Sequence, residues 1–282
     1  MSLPTDYAKL LTAVQSIAVS SKCDKIDLLH TLRVQLEPFV FEILNVRYGP
    51  SLANHWNRTT IPRHGDKALV IVERRCHPNL QFTLQNAVYF NPGHTLHIFC
   101  SQANRAYVEH VCGVQAPNVH IHPVWEGIGS PEAGKVEYNA LLRQRSFYES
   151  FTEEHLLLFE TDCYFLRSPS PALSRYDYVA SKWAWQPSAP GGGGLSYRKR
   201  SMMLHICDSY FNPSTVMQDC FVSEGVQKLG YAFPSEAENA EFFTESIPSG
   251  RPMGTHQWWT FLLSVPPETI PAIVQIYLTL DI

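Results

Sequence analysis

Charge is scarce in this chain. Asp, Glu, Lys and Arg together make up 17% of its 282 residues, against about a quarter in an average domain. The net charge is -4, and the densest basic cluster is Arg198-Lys199-Arg200, too short for a nucleic-acid surface. A nucleic-acid partner is therefore not expected. Long apolar runs are missing too: nothing approaches the roughly 18 residues that span a bilayer. The N-terminus has no charged-then-apolar signal pattern. These absences predict no transmembrane segment and a cytoplasmic location. The 7 cysteines include no Cys-x-x-Cys pair, and an odd, dispersed set points to reduced thiols. His120-x-His122 and Cys76-His77 have no third ligand close in sequence, which argues against a structural zinc. What is abundant is apolar content, 45%. It predicts a packed globular chain of one large domain, or one domain with an extension.

From Ala68 onward strand and helix signals alternate. Short apolar runs at 68–72, 95–100 and 119–123 read as strands. Helical periodicity covers 79–90, 104–112 and 136–151, the first two stopped by Gly93 and Gly113. This repeated β-α-β order predicts an α/β fold with a mainly parallel sheet flanked by helices. After residue 162 the pattern loosens into short strands at 176–181 and 195–198, then helices at 201–210 and about 216–229. The segment 26–46 is a long amphipathic pattern broken near Pro38. Residues 1–65 are read as an N-terminal helical extension, and 66–282 as the α/β domain proper. About 60 residues would make a marginal core alone.

The most informative stretch is Leu156-Leu157-Leu158-Phe159-Glu160-Thr161-Asp162. A continuous apolar run fits a strand buried on both faces of a parallel sheet. Its carboxyl end is where open α/β sheets bind ligands. Two acids one residue apart at that end suit a hard divalent cation that also carries phosphate oxygens.

Four segments in order, "LVIVERRCHPNLQFTLQNAVYF", "YNALLRQRSFYESF…HLLLFETDCYFL", "YDYVASKW…GGGGLSYRKRSMMLHIC" and "QDCFVSEGVQKLG", followed by "GTHQWW", resemble a family of glycosyltransferase-like proteins with the GT-A fold. The resemblance covers roughly residues 66 to 262. It implies a metal-dependent transferase that moves a sugar from a nucleotide-sugar donor to a glycan, protein or small-molecule acceptor. Two departures stand out. Glu160 replaces the first Asp of the usual Asp-x-Asp, leaving most of the metal contact to Asp162. Gln218 stands where the family usually has Glu, leaving Asp219 the only carboxylate of that pair.

Each candidate residue carries a functional and a plainer reading. Glu73, Arg74 and Arg75 leave the first strand toward the ligand crevice, where an arginine could pair with a phosphate or stack on a base. The alternative is a solvated turn. Asn139 and Arg143 lie one helical turn apart. The resemblance implies donor binding for them and for Thr161; an exposed polar face is the alternative. In Gly191-Gly192-Gly193-Gly194 the backbone can approach a ligand closely, and Gly192, Gly193 and Gly194 with Trp183 form the expected acceptor or sugar contact. A linker is the other reading. Asp219 could deprotonate the acceptor hydroxyl or simply serve a helix start. His256 could fold back onto the metal beside Glu160 and Asp162. Imidazole plus carboxylate favours Mn2+ over Mg2+. Trp258 and Trp259 read as core or as a sugar-stacking platform. Besides inverting glycosyl transfer, two readings remain open: sugar nucleotidyl transfer, and a non-catalytic carbohydrate-binding scaffold.

Overall fold

A computed structural model describes residues 12–13 and 25–282; the rest of the expected 1–65 extension lies outside the described residues. The chain opens with one long helix, α1 (Lys25–Arg58). Alternating strands and helices follow: β1 (Lys67–Val72), α2 (Leu80–Phe90), β2 (Thr95–Ser101), α3 (Arg105–Cys112), β3 (His120–Trp125), α4 (Pro131–Leu141), α5 (Arg145–Glu149) and β4 (His155–Phe159). The second half holds β5 (Cys163–Phe165), β6 (Tyr178–Ser181), β7 (Gly192–Lys199), α6 (Arg200–Ser209), α7 (Gln218–Leu229), α8 (Glu236–Asn239), β8 (Phe243–Thr244), β9 (Gly254–His256) and α9 (Ile270–Tyr277).

The main sheet has the order β3-β2-β1-β4-β7-β6. β1, β2, β3 and β4 run parallel, and β7 and β6 continue the sheet antiparallel. This is the α/β architecture with a mainly parallel sheet that the alternating pattern predicts. Side chains along a strand alternate between faces, and both faces are covered. Leu69, Ile71, Leu157 and Phe159 point into a core shared with α1 and α2. Ala68, Val70, Leu156 and Leu158 point into a second core with α6 and α7. Burial on both sides is why β1 and β4 read as unbroken apolar runs.

Three boundaries differ from the sequence reading. α1 runs straight through Pro38 and Pro50, although an interior proline removes a backbone donor and disfavours a helix. Packing outweighs that cost: Leu36, Val40, Phe41, Leu44, Leu52 and Trp56 are all buried in the sheet's own core. Each such side chain contributes roughly 1.5–3 kcal/mol. Phe41 alone meets Phe82, Tyr164 and Trp259 edge-on. The helix expected over 136–151 is two helices. Ser130 caps the first by accepting from the Ala133 N–H, with Pro131 in the first turn. The pair is a start signal that the periodicity obscured. Extended Gln144 separates the two, and Tyr148 Oη donates to Leu142 O across the break at 2.9 Å. Finally, the strand expected at 195–198 begins at Gly192, so three glycines are strand and not linker.

A second, small sheet has the order β5-β9-β8. In it Cys163 pairs with His256 across the antiparallel β5 and β9, while β8 runs parallel to β9. Asn86 of α2 anchors this sheet by exchanging hydrogen bonds with both backbone groups of Phe165.

Candidate metal and donor site

The strand order reverses between β1 and β4: β2 and β3 lie on one side of β1, and β4 on the other. Ligands bind open α/β sheets outside the carboxyl ends at such a point. The chain leaves β1 at Glu73 and β4 at Glu160. Thr161 Oγ1 donates to Glu73 Oε2 at 3.3 Å, tying the two strand ends together.

The small sheet then closes the site. Because Cys163 pairs with His256, Asp162 comes level with the imidazole, and Nε2 lies 3.3 Å from Asp162 Oδ1. β8 ends beside β9, so the next residue, Glu245, reaches the other ring nitrogen, 3.3 Å from Nδ1. Both carboxylates and the ring are at least 86% covered (side-chain exposures 14%, 7% and 8%). Gln257, in the left-handed conformation with φ 47°, donates its side-chain N–H to Asp162. Its Oε1 is buried and accepts no hydrogen bond among the described residues.

Glycines let β7 join them. β7 runs antiparallel to β4, with Leu195 opposite Phe159. Its first residues therefore extend past the end of β4, into the acidic turn. Gly194 donates its N–H to His256 Nδ1 at 3.2 Å. A Cβ on Gly194 would lie 2.8 Å from the imidazole and 3.0 Å from the Glu160 carboxyl carbon. A Cβ on Gly193, whose φ is +100°, would collide with the Glu245 carboxylate. One on Gly192 would lie 2.5 Å from the Trp183 ring and 2.7 Å from Asp219 Cβ. The run is a surface pressed against five side chains, each occupying the space a side chain of β7 would need.

Electrostatics sort the carboxyls. Burial pushes Glu160 above the usual carboxylate range, and the neighbouring Asp162 charge adds to this; Tyr138 Oη donates to its Oε1 at 2.6 Å. Burial also disfavours the Asp162 charge, but the His256 cation outweighs it and holds Asp162 well below that range. His256 is the reverse case. Burial opposes its charge, yet Asp162 and Glu245 together favour the protonated ring and raise it well above an ordinary histidine; the neutral ring, with Nδ1 accepting from Gly194, is the form a metal on Nε2 would require. Burial first, then Asp162 and Glu160, push the Cys163 thiol far up, and its Sγ donates to Gly194 O at 3.2 Å. Ligand atoms of Asp162, Cys163 and His256 lie within 4.8 Å of one another. A carboxylate and an imidazole converging on one point form a donor set that fits Mn2+.

The remaining candidates fall in different places. Arg75 turns back on Glu73 with two side-chain hydrogen bonds, 2.8 and 2.6 Å. Arg74 pairs with Glu137 and lies over the Trp125 ring at 4.9 Å. Asn139 accepts from the Gln218 N–H at 2.6 Å, and Arg143 donates to Thr215 O at 2.8 Å; together they fasten α4 to the start of α7. Gln218 holds the buried Arg198 guanidinium at 2.7 Å. Asp219 is the second residue of α7, after the N-cap Met217, and accepts from the Cys220 N–H at 2.8 Å. Trp258 and Trp259 are fully buried, so they belong to the core. His120 and His122 stack flat on His97, at 4.5 and 5.3 Å between centroids, and His97 Nδ1 lies 3.1 Å from His122 Nε2.

Two site residues carry little signal in the sequence. Glu245 follows a strand of two residues, too short for any periodicity. Glu37 comes from α1. It accepts from Asn79 Nδ2 at 2.7 Å and sits 3.6 Å from His77 Nε2, on the loop leaving β1. Burial, and then the Asp162 charge, raise its carboxyl to about 7.

A protein-family model described as "Protein of unknown function (DUF5672)" matches residues 132–256. That segment begins in α4 and ends on His256, so it holds Glu160, Asp162, the glycine run, Asp219 and Glu245. No curated protein matches the sequence. Among solved structures, the mannosyltransferase PcManGT from Pyrobaculum calidifontis, in complex with GDP-Man and Mn2+, is similar at a TM-score of 0.40 and 14% identity, over 89% of this chain and 81% of that one. Among the described residues no helix is long and apolar enough to cross a membrane.

Proposed function

We propose that this chain is a metal-dependent glycosyltransferase that moves a sugar from a nucleoside diphosphate donor to an acceptor hydroxyl with inversion. One observation carries the reading. Successive glycines of β7 touch Trp183 and Asp219 at one end and His256 and Glu160 at the other. At about 3.3 Å per residue, Gly192 and Gly194 lie roughly 7 Å apart, a span that accommodates one sugar ring.

In this reading Asp162 and His256 hold Mn2+, with Gln257 and Glu245 orienting them. The bound ion supplies Lewis-acid stabilisation of the departing nucleoside diphosphate. Glu160, fixed by Tyr138, faces the donor's polar edge. Asp219, on the far side of Gly192, takes the proton of the attacking hydroxyl. Arg75 and Glu73 border the nucleotide at the end of β1.

The test is a thermal-shift panel of UDP, GDP, CDP and dTDP, each with Mn2+ and with EDTA. A ligand at a hundred times its dissociation constant stabilises by roughly 2.7 kcal/mol. At least one nucleotide should do so with the metal and lose the effect in EDTA. An equal shift in both conditions would remove Asp162 and His256 from the metal role.

A further inference from the structure

Beside the glycine run stands a pair of tryptophans that the donor site does not use. Trp183 is 6% exposed, its ring edge against Gly192 and next to Asp219. Trp185 lies parallel to it, 5.7 Å between centroids and 12° between planes, yet is 72% exposed. An isolated exposed tryptophan needs no explanation. This one is neither isolated nor loose. The turn that carries it is closed by Gln186 N–H to Trp183 O at 3.1 Å. It is pinned by Ala184 N–H to Ser246 Oγ at 3.1 Å, and by Ser246 Oγ–H to Lys182 O at 3.3 Å. Ser246 directly follows Glu245, the partner of His256. The turn is thus fastened at one end to Gly192 and Asp219, and at the other to the carboxylate end of the metal site.

We propose that Trp185, backed by Trp183, is the acceptor platform, and that the acceptor is a pyranose. This rests on the transferase reading above. An indole face carries excess negative charge, and it matches the C–H face of a pyranose, whose hydrogens are weakly positive. The same ring presents hydroxyls at its edge, where Asp219 accepts one. A serine or threonine acceptor has no flat C–H face to match the exposed indole. The platform therefore sets acceptor affinity and leaves donor affinity to the metal side.

The experiment titrates the full chain with methyl pyranosides and disaccharides of glucose, galactose, mannose and N-acetylglucosamine, in the presence of Mn2+ and a nucleoside diphosphate. Tryptophan fluorescence and saturation-transfer NMR are the readouts. At least one saccharide should saturate, with transfer strongest at its ring C–H protons. Trp185→Ala should weaken it about tenfold, which is 1.4 kcal/mol; Trp185→Phe should keep part of the affinity. The nucleotide-induced thermal shift should stay as in the parent. Saccharide binding that persists without any nucleotide or metal response would support the platform while refuting the transferase reading. The proposal is overturned if no saccharide saturates, or if Trp185→Ala binds as tightly as the parent. It is likewise overturned if sedimentation shows a concentration-dependent dimer that Trp185→Ala abolishes, since the indole would then cover a second copy of this chain.

Discussion

Gly194 and His256 are bound to each other twice, once by a hydrogen bond and once by the lack of a side chain. The glycine N–H holds Nδ1 at 3.2 Å, and the same residue's missing Cβ leaves the imidazole its place, 2.8 Å from where that carbon would stand. The ring is flanked by buried carboxylates of Asp162 and Glu245, so it has little freedom to retreat. Backbone, ring and acids form one packed unit in which the glycine is the thinnest member.

Gly194→Ala should therefore displace the ring and weaken Mn2+ binding by roughly 10–100-fold, the usual scale for disturbing the groups that orient metal ligands. Gly193→Ala should also destabilise the fold, because a left-handed non-glycine residue costs about 1–3 kcal/mol. Gly250→Ala is the control, with nothing within 4 Å of its Cβ position. Calorimetric titration with Mn2+ reads the outcome. Parental affinity in folded Gly194→Ala would show that the contact does not position the ligand.

Asp219 offers a cleaner separation of stability from chemistry. It is not the N-cap of α7, a position held by Met217, so loss of its charge leaves the cap unchanged. Asp219→Asn keeps the shape and still accepts from the Cys220 N–H. Transfer should fall by about a hundredfold or more, the scale for a positioned base. Nucleoside diphosphate affinity should hold, because the metal side is intact. Turnover and dissociation constant on one purified variant, with circular dichroism as folding control, decide it. Near-parental turnover would remove Asp219 from the base role and reopen a retaining mechanism.

Much of this arrangement was legible from local pattern. The run Leu156–Phe159 announced a doubly buried strand because both faces of β4 are covered, and the acids after it had to fall at the sheet's ligand edge. Consecutive glycines signalled close approach, although not that they would be strand residues pressed against His256 and Asp219. What escaped was contact made by topology alone. Glu245 meets His256 only because β8 and β9 are parallel and end together, and a two-residue strand has no periodicity to detect. α1 was expected to break at Pro38; its burial in the sheet's core overrides the proline and carries Glu37 to the loop leaving β1. Sequence spacing holds no trace of a partner that far along the chain.

Glu37 also makes a prediction about stability against pH. Burial and the Asp162 charge raise its carboxyl from 4.5 to about 7 in the folded chain, against the lowering effects of Arg75, His256 and Asn79. Between those values the folded state holds a proton that the unfolded state has released. Stability linked to this group is therefore complete below about pH 4.5 and falls as pH rises, with the full penalty above about pH 7. The shift corresponds to at most about 3 kcal/mol at 1.36 kcal/mol per unit, reduced by the water that reaches the 20%-exposed carboxyl. Glu37→Gln keeps an acceptor for Asn79 Nδ2 and removes the titration. In EDTA the variant should match the parent near pH 4.5 and be more stable at pH 8, by denaturant midpoint at constant slope. A difference independent of pH, or a variant less stable at pH 8, would mean that Glu37 is ionised without penalty. The helix would then bring the site an ordinary surface carboxylate.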